Sequence, residues 1–158
     1  MQINGDDVLI QSRIEGVALT VAWPYLSFAE KISFKEQALK IATALSTIQR
    51  PCQYVFPDPN PVTNKQITQE EVDLLFSGSD VPLGFAHNDL QPSNIIVKDG
   101  KIVGIVDWEM SGFFGDRAAE VHRRMRCPGR NAYERVDLSE EKLNDLTFWH
   151  TLFDECLE

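Results

Sequence analysis

Two short apolar runs joined by a tight turn constrain the fold of this chain more than any other feature. The runs are "IIV" at 95–97 and "IVGIV" at 102–106, and "KDGK" connects them. Asp-Gly supplies the positive φ angles that a two-residue hairpin turn requires, so the pattern predicts an antiparallel β-hairpin. Because both runs are continuously apolar, we expect helices to cover the hairpin rather than leave it half exposed.

Polar side chains stand at the open end of this predicted hairpin. Asn94 comes just before the first run and Asp107 just after the second, while Asp89 lies in the loop that feeds the same end. Antiparallel pairing brings Asn94 and Asp107 side by side, so these three side chains should converge. Two carboxylates and an amide oxygen suit Mg²⁺, and a carboxylate not bound to the metal could orient a hydroxyl group and accept its proton. The alternative is an ordinary turn, since Asp and Asn beside Pro and Gly often form turns and caps.

Composition limits the function classes. A chain of 158 residues with 43% hydrophobic residues has the size of one domain with its own core. Its formal net charge of -9 argues against binding to nucleic acid or to an anionic membrane surface. The N-terminus resembles no signal or transit peptide, and no apolar stretch is long enough to span a membrane, so a cytoplasmic location is expected.

The cysteines do not indicate a metal or disulfide framework. Cys52, Cys127 and Cys156 are widely spaced and form no CxxC pair. An odd number of cysteines without a pairing pattern predicts reduced thiols, and the histidines do not lie at zinc-ligand spacing from them.

The remaining pattern is mostly helical, with few strands. Ser33 and Glu36 form a capping-box pattern, which predicts that a helix begins there and ends before Pro51. Its predicted apolar face comprises Phe34, Ala38, Ile41, Ala42, Leu45 and Ile48. Other predicted elements are a strand at Val8–Ile10, helices at 68–76 and 116–126, and a last helix at 138–157 with a stripe of Leu143, Leu146, Phe153 and Leu157. Residues 77–84 and 109–116 are predicted to be loops.

Several of these segments resemble the aminoglycoside phosphotransferase and choline kinase family, which shares its fold with protein kinases. "HNDLQPSN" is similar to that family's catalytic loop, and "IVDWE" to its metal-binding segment. "VLIQSRIEG" resembles the hinge strand, although "QSRIEG" departs from the usual "MEYIEG" type. The resemblance implies an α+β fold: a single domain over 1–158, the mostly helical C-terminal lobe of a kinase-like protein. Residues 1–16 would be the hinge strand and connector, and 85–116 the catalytic loop, hairpin and metal-binding segment.

The resemblance also implies residue roles. Asp89 would be the catalytic base, while Asn94 and Asp107 would hold Mg²⁺ against the phosphates of ATP. His87 would brace the loop. Further support for the site would come from Gln91, Trp108 and Glu109. Ser12, Arg13 and Ile14 would lie at the adenine hinge, where contacts are mostly made by the backbone. The implied reaction transfers the γ-phosphoryl group of ATP to a hydroxyl group of a small molecule.

One expected part of such an enzyme has no counterpart in the sequence. Kinase-like enzymes cover the phosphates with a Gly-rich loop and hold them with a strand lysine. The chain contains no G-x-G-x-x-G, and no lysine precedes residue 8. The N-terminal lobe is therefore expected to be missing, and the isolated chain is expected to be weakly active or inactive. The alternative is a catalytically impaired lobe that acts as a binding module, or a fragment of a longer enzyme. Self-association, or a partner, could use the surface that the other lobe would cover.

The acceptor stays open among aminoglycosides, choline-like amino alcohols, sugars and other hydroxyl compounds. Two further features have two interpretations each. The basic segment 122–130 could bind an anionic group or form a solvated helix face. Phe113 and Phe114 could line an acceptor pocket or pack in the core.

Overall fold

The computed structural model describes residues 2–3, 6–7, 11–50, 83–108, 111–114 and 129–152. In chain order, the strands are β1 (Gln2–Ile3), β2 (Asp6–Asp7), β3 (Val17–Ala18), β4 (Gln49–Arg50), β5 (Leu83–Ala86), β6 (Ile95–Lys98), β7 (Lys101–Ile105) and β8 (Gly112–Phe114). The α-helices are α1 (Leu19–Ala22), α2 (Phe28–Ser46) and α3 (Glu140–Phe148). Short 3-10 turns lie at Trp23–Tyr25, Pro92–Asn94, Arg130–Tyr133 and Trp149–Thr151. The described part of the chain is thus a mixed α and β structure.

Helix α2 begins earlier than the sequence predicted. Ser27 caps it by accepting from the backbone of Glu30, and the Glu30 carboxylate accepts from the Ser27 amide at 2.8 Å. This reciprocal pair satisfies donors that the first helical turn would leave unbonded. The predicted start at Ser33 and Glu36 is wrong, because both lie inside a helix that extends back to the 3-10 turn containing Pro24.

The end of α2 also differs from the prediction. The helix stops at Ser46 rather than continuing to Pro51, and Gln49–Arg50 forms β4. Phe34 and Ala38 of the predicted apolar face are buried, whereas Ile48 is 51% exposed. The chain leaves the helix because its backbone there pairs with β5: the Phe85 amide donates to the Ile48 carbonyl.

The hairpin forms as predicted at its turn. Lys98 pairs with Lys101, and the two turn residues between them, Asp99 and Gly100, have φ angles of 50° and 73°. These angles are the ones that a type I′ turn requires. Strand β3 adds to β6, so the hairpin belongs to a three-stranded antiparallel sheet in the order β3-β6-β7.

One face of this sheet is buried and the other is partly exposed. Ile95 and Val97 are buried, whereas Val103 is 44% exposed. The prediction that helices would cover both faces is wrong. Helices α1 and α2 contact this sheet on its buried side, while the opposite face at Gly104 meets the side chain of Ile14.

A second three-stranded sheet was not predicted. Strand β5 pairs with β4 on one side and with β8 on the other, both antiparallel. Sequence patterns had assigned Leu83 and Gly84 to a loop, and Gly112–Phe114 to another. Each strand is too short to show alternation, and its partners lie far away in sequence, so pairing rather than local propensity defines them.

The core packs residues of α1, of α2 and of the segment after α3 against the hairpin. Its buried members are Leu19, Phe34, Ala38, Leu90, Ile95, Val97, Trp149 and Leu152. Leu90 belongs to the predicted catalytic loop, and Trp149 and Leu152 follow α3. The loop is therefore anchored in the core from both directions.

Several predicted elements lie outside the described residues: the strand at Val8–Ile10, the helices at 68–76 and 116–126, the proline-rich stretch after Pro51, and all three cysteines. The last helix is described only in part, since Phe153 and Leu157 of its predicted stripe lie beyond residue 152. Within the described ranges, no helix is long and apolar enough to cross a membrane.

Candidate active site

The predicted site lies where the chain crosses twice between the two sheets. The first crossing leaves β5 at Ala86 and reaches β6 at Ile95. The second leaves β7 at Ile105 and returns to the other sheet at Gly112. The Val106 amide donates to the Asn94 carbonyl at 2.9 Å, so the end of the first crossing lies beside the start of the second.

His87 joins the two crossings. Its Nε2 lies 3.0 Å from the Val106 carbonyl oxygen, and the Asp89 amide donates to Nδ1 at 3.3 Å. Because a carbonyl oxygen only accepts, these partners assign the ring proton to Nε2 and leave Nδ1 as the acceptor. Asn88 reverses the backbone between them with a φ angle of 58°, a conformation that asparagine adopts at low cost.

The environment of His87 favours its neutral form. The side chain is 3% exposed, and its ring lies edge-on against Trp108 with centroids 4.6 Å apart. Burial lowers the pKa of His87 from 6.5, although the Val106 carbonyl and the charges of Asp89 and Asp107 act in the opposite direction. The role expected for His87, that of bracing the loop, stays a prediction.

Asp89 and Asn94 are directly bonded. The Asn94 Nδ2 donates to the Asp89 Oδ2 at 2.9 Å and to the Asp89 carbonyl at 3.0 Å. With its nitrogen so engaged, Asn94 presents its oxygen elsewhere, and Oδ1 accepts from the Ser93 hydroxyl at 3.2 Å. Asn94 is 7% exposed, so its buried amide needs hydrogen-bond partners within the protein, and Asp89 and Ser93 fix its orientation.

Asp107 stands at the same rim but in a different setting. It follows Val106, whose amide is bonded to Asn94, and it has a φ angle of 64°. A non-glycine residue in this left-handed conformation is uncommon, and such residues cluster at functional sites. Its side chain is exposed. The structure thus brings Asn94 directly to Asp89 and places Asp107 at the neighbouring strand end.

The residues predicted to support the site fall in several places. Trp108 donates from Nε1 to the Ile105 carbonyl at 2.9 Å and stacks on Phe85, with ring centroids 6.1 Å apart. The Gln91 amide donates to the Asp89 carbonyl at 2.8 Å, which closes a turn after Asp89. Glu109 lies outside the described residues.

The predicted hinge residues lie beside the hairpin. Ser12, Arg13 and Ile14 are exposed and belong to no helix or strand. A Cβ on Gly104 would lie 2.5 Å from Cδ1 of Ile14, so the glycine gives Ile14 room to lie against β7. Gly104 is three residues before Asp107, which puts this part of the connector near the rim.

Sequence reasoning missed the residue that holds the loop from the opposite side. Trp149 is 2% exposed, and its Nε1 donates to the Leu90 carbonyl at 3.0 Å. The predicted stripe of the last helix skipped this position, although a tryptophan in an otherwise polar segment was a signal for burial.

The structure describes the aromatic pair Phe113 and Phe114 and a part of the basic segment 122–130. Phe114 is 2% exposed and therefore packs in the interior, while Phe113 lies 5.2 Å from the Phe85 ring. Of the basic segment, only its last residues are described, and there Arg130 forms an ion pair with Glu140.

The predicted metal ligands include an amide oxygen as well as a carboxylate. Among the described residues, no group of three or more His, Cys, Asp or Glu side chains could hold a metal ion. The predicted set is a different one, the Asp107 carboxylate with the amide oxygen of Asn94, and it stays a prediction. Hard oxygen donors of this kind fit Mg²⁺, which takes few protein ligands and completes its shell with water and phosphate.

Comparison with known families agrees with the motifs. The model of the phosphotransferase enzyme family matches residues 48–123, a segment that contains the whole catalytic loop and hairpin. The predicted resemblance to the aminoglycoside phosphotransferase, kinase-like family is confirmed by this match. The assignment to a C-terminal lobe stays a prediction. Searches of curated proteins and of solved structures gave no match.

Proposed function

We propose that this chain carries the base and metal half of a phosphotransferase site, which transfers the γ-phosphoryl group of ATP to a hydroxyl group of a small molecule. The observation that supports this most is the bond between the Asn94 amide and the Asp89 carboxylate at 2.9 Å, at the strand end shared with Asp107. The family match over 48–123 supports the same reaction class.

Asp89 is the base in this proposal. The Asn94 amide donates to one carboxylate oxygen of Asp89. The Asp89 amide donates to the His87 ring and the Asp89 carbonyl accepts from the Gln91 amide, so the main chain of Asp89 is also held. A carboxylate fixed in this way can accept a hydrogen bond from an acceptor hydroxyl and take its proton as the oxygen attacks phosphorus. Positioning of this kind is the main protein contribution in phosphoryl transfer.

Asn94 and Asp107 would hold Mg²⁺. The Asn94 nitrogen faces Asp89, which leaves its oxygen as the group that can ligate, and the Asp107 carboxylate is exposed at the adjacent strand end. When bound, Mg²⁺ with ATP supplies the phosphoryl group and neutralises charge that develops on its oxygens. Asp107 has a left-handed backbone conformation, and the neighbouring Asn94 is buried.

The adenine would lie near Ser12, Arg13 and Ile14. Support comes from the contact between Ile14 and Gly104, because it places this connector over the outer face of β7. An exposed ion pair between Lys98 and Glu15 at 2.6 Å joins the same two segments. These contacts leave backbone groups of residues 12–14 accessible beside the hairpin.

The test compares aspartates at the two ends of the same hairpin. We expect Asp107→Asn to weaken Mg²⁺ binding measured by calorimetry, whereas Asp99→Asn, in the turn at the far end, should leave it unchanged. Asp89→Ala should retain Mg·ATP binding but lower the rate of ADP formation by about 10³-fold, the middle of the range for a general base. The acceptors to try are amino alcohols, aminoglycosides and sugars.

Equal loss of Mg²⁺ binding in Asp89→Ala and Asp107→Asn would show that the roles are wrongly divided. An unsubstituted chain that binds neither Mg²⁺ nor Mg·ATP would refute the proposal for this chain.

A second candidate function is that of a binding module. The observation that favours it is the exposure of large apolar side chains on the same side as the connector and rim, where Val103 is 44% and Trp108 39% exposed. Apolar surface of this kind marks association sites. Light scattering after size-exclusion chromatography tests it, and a monomer at all concentrations would count against self-association.

A further inference from the structure

Leu90 follows the proposed base in sequence, and its carbonyl is hydrogen-bonded to a residue far away in the sequence. Trp149 begins the 3-10 turn after α3, and its indole nitrogen donates to the carbonyl of Leu90 at 3.0 Å. Both residues are buried, with exposed fractions of 2% and 4%. A buried hydrogen bond that links two distant segments fixes both, since breaking it would leave an unsatisfied carbonyl in the core.

This bond completes a set of contacts around Asp89. The Asp89 amide is bonded to His87, and its carbonyl accepts from the Gln91 amide and the Asn94 side chain. All of these partners lie on the loop itself. The bond from Trp149 to Leu90 joins the loop to another element, so it alone among them resists movement of the whole loop away from the last helix.

Trp149 is itself held in place. Its ring packs edge-on against Trp23, with centroids 5.8 Å apart and an angle of 89° between the planes. The turn that carries it is tied to α2, because Lys35 Nζ donates to the Thr151 hydroxyl at 2.5 Å. A donor mounted on a rigid ring between two packed helices defines the position of its acceptor closely.

We propose that Trp149 is a positioning residue for Asp89, acting through the indole hydrogen bond to the Leu90 carbonyl. It lies outside residues 48–123 that match the phosphotransferase family. The proposal rests on the function proposed above in what it says of catalysis, and on geometry alone in what it says of the loop. Without the bond, the Leu90–Gln91 peptide can rotate, the loop beside Asp89 loses its tie to the last helix, and the carboxylate no longer keeps one direction.

The experiment replaces the indole by a ring of similar shape without the donor. In Trp149→Phe, amide hydrogen exchange measured by NMR should accelerate by about tenfold at Gln91 and Asn94, the expected effect of one lost hydrogen bond. The amide of Ile102, bonded to Gln37 at the far end of the hairpin, should not change beyond the shift in global stability.

The matched control is Trp23→Phe, which alters the same aromatic contact but carries no bond to the loop. A merely structural role predicts equal acceleration at Gln91 and Ile102 in both variants, and that result would overturn the proposal. If Trp149→Phe does not fold, the unsubstituted protein decides. Its Trp149 indole proton should exchange more slowly than that of half-exposed Trp108, and equal rates would refute the bond.

A kinetic measurement separates this inference from the proposed function. Where the unsubstituted chain transfers phosphate from Mg·ATP to water, Trp149→Phe should lower kcat about tenfold and leave the KM for Mg·ATP unchanged. An unsubstituted chain without transfer counts against the function, while the exchange data still decide whether Trp149 holds the loop. Normal kcat in Trp149→Phe would refute the positioning role even with accelerated exchange.

Discussion

The two three-stranded sheets support the same site but are built differently. In the hairpin sheet, β6 and β7 are neighbours in sequence. A two-residue turn sets their register as far as Val97 and Ile102, and an irregularity next to this pair shifts the register by one residue towards the open end. In the other sheet, β5 pairs with β4 and with β8. The paired residues Arg50 of β4 and Leu83 of β5 are separated by 32 residues of the chain, and β8 follows the hairpin. Asn94 and Asp107 flank the two strands of the hairpin. His87 and Asp89 follow β5 of the other sheet.

The difference shows how a local and a non-local element share one task. The hairpin, with its register shift, brings Asn94 beside the end of β7, and the second sheet holds the start of the loop that leads to Asn94. His87 is the link, because it is carried by β5 and bonded to the Val106 carbonyl after β7. The site should therefore respond differently to damage in each sheet and most directly to damage at the link.

The largest effect is expected where the connector approaches the hairpin sheet. Gly16 has a φ angle of 139°, and a Cβ added there would lie 2.6 Å from the Val97 carbonyl oxygen. Gly16→Ala should lower the free energy of unfolding by about 4 kcal/mol, from backbone strain and overpacking together. Urea denaturation measures it. Gly129→Ala is the control, since nothing lies within 4 Å of a Cβ there; equal small losses would show that β3 tolerates the change.

The link between the sheets comes next. His87→Ala leaves the Val106 carbonyl and the Asp89 amide without their partner, and should cost about 2–3 kcal/mol. His87→Gln keeps a donor and an acceptor of similar reach, so it should lose less. Urea denaturation compares the two variants. If both lose the same amount, the ring's packing against Trp108 matters more than its hydrogen bonds.

The turn of the hairpin should have a smaller effect. Gly100 has a φ angle of 73° in open space, so Gly100→Ala adds only the cost of the left-handed conformation, about 1 kcal/mol. Gly100→Asn should cost less, because asparagine adopts this conformation more readily. Thermal unfolding of both variants checks the order. A loss in Gly100→Ala as large as in Gly16→Ala would mean that the turn, and not the third strand, limits the sheet.

This comparison also explains what the sequence could predict. The Asp99-Gly100 turn and its apolar strands have a local signature, and the register that follows brings the rim residues together. The family motifs name the same residues. The helix start was misplaced because S-x-x-E occurs both at Ser27 and at Ser33, and only tertiary structure selects between them.

The second sheet and the Trp149 bond had no such signature. Strands of two to four residues carry no readable period, and their pairing depends on contacts between distant segments. The exposure of one face of the hairpin was mispredicted for the same reason, since an apolar run does not reveal whether one or both faces of a strand are covered. Local chemistry therefore predicted which residues lie together at the end of the hairpin, while long-range packing decides what holds them there.

The smallest effect is a pH dependence of stability that should originate at the link. Neutral His87 donates from Nε2 to Val106 and accepts at Nδ1 from the Asp89 amide, so a second ring proton would break the latter bond. Burial is the main cause that lowers the pKa of His87 in the folded chain from 6.5. Below that pH the unfolded chain binds the proton first, and stability therefore falls as the pH is lowered.

The contribution of His87 should be complete above about pH 7, decline as the pH passes below 6.5, and level off below the folded pKa. Urea denaturation from pH 8 to pH 5 measures it, and the difference between the unsubstituted chain and His87→Gln isolates it from other titrating groups. Asp89 and Asp107 are the charged groups near the ring, and their attraction for a protonated His87 opposes the trend. A difference that grows as the pH falls would show that this attraction exceeds the cost of burial, and that the link between the sheets is strongest when charged.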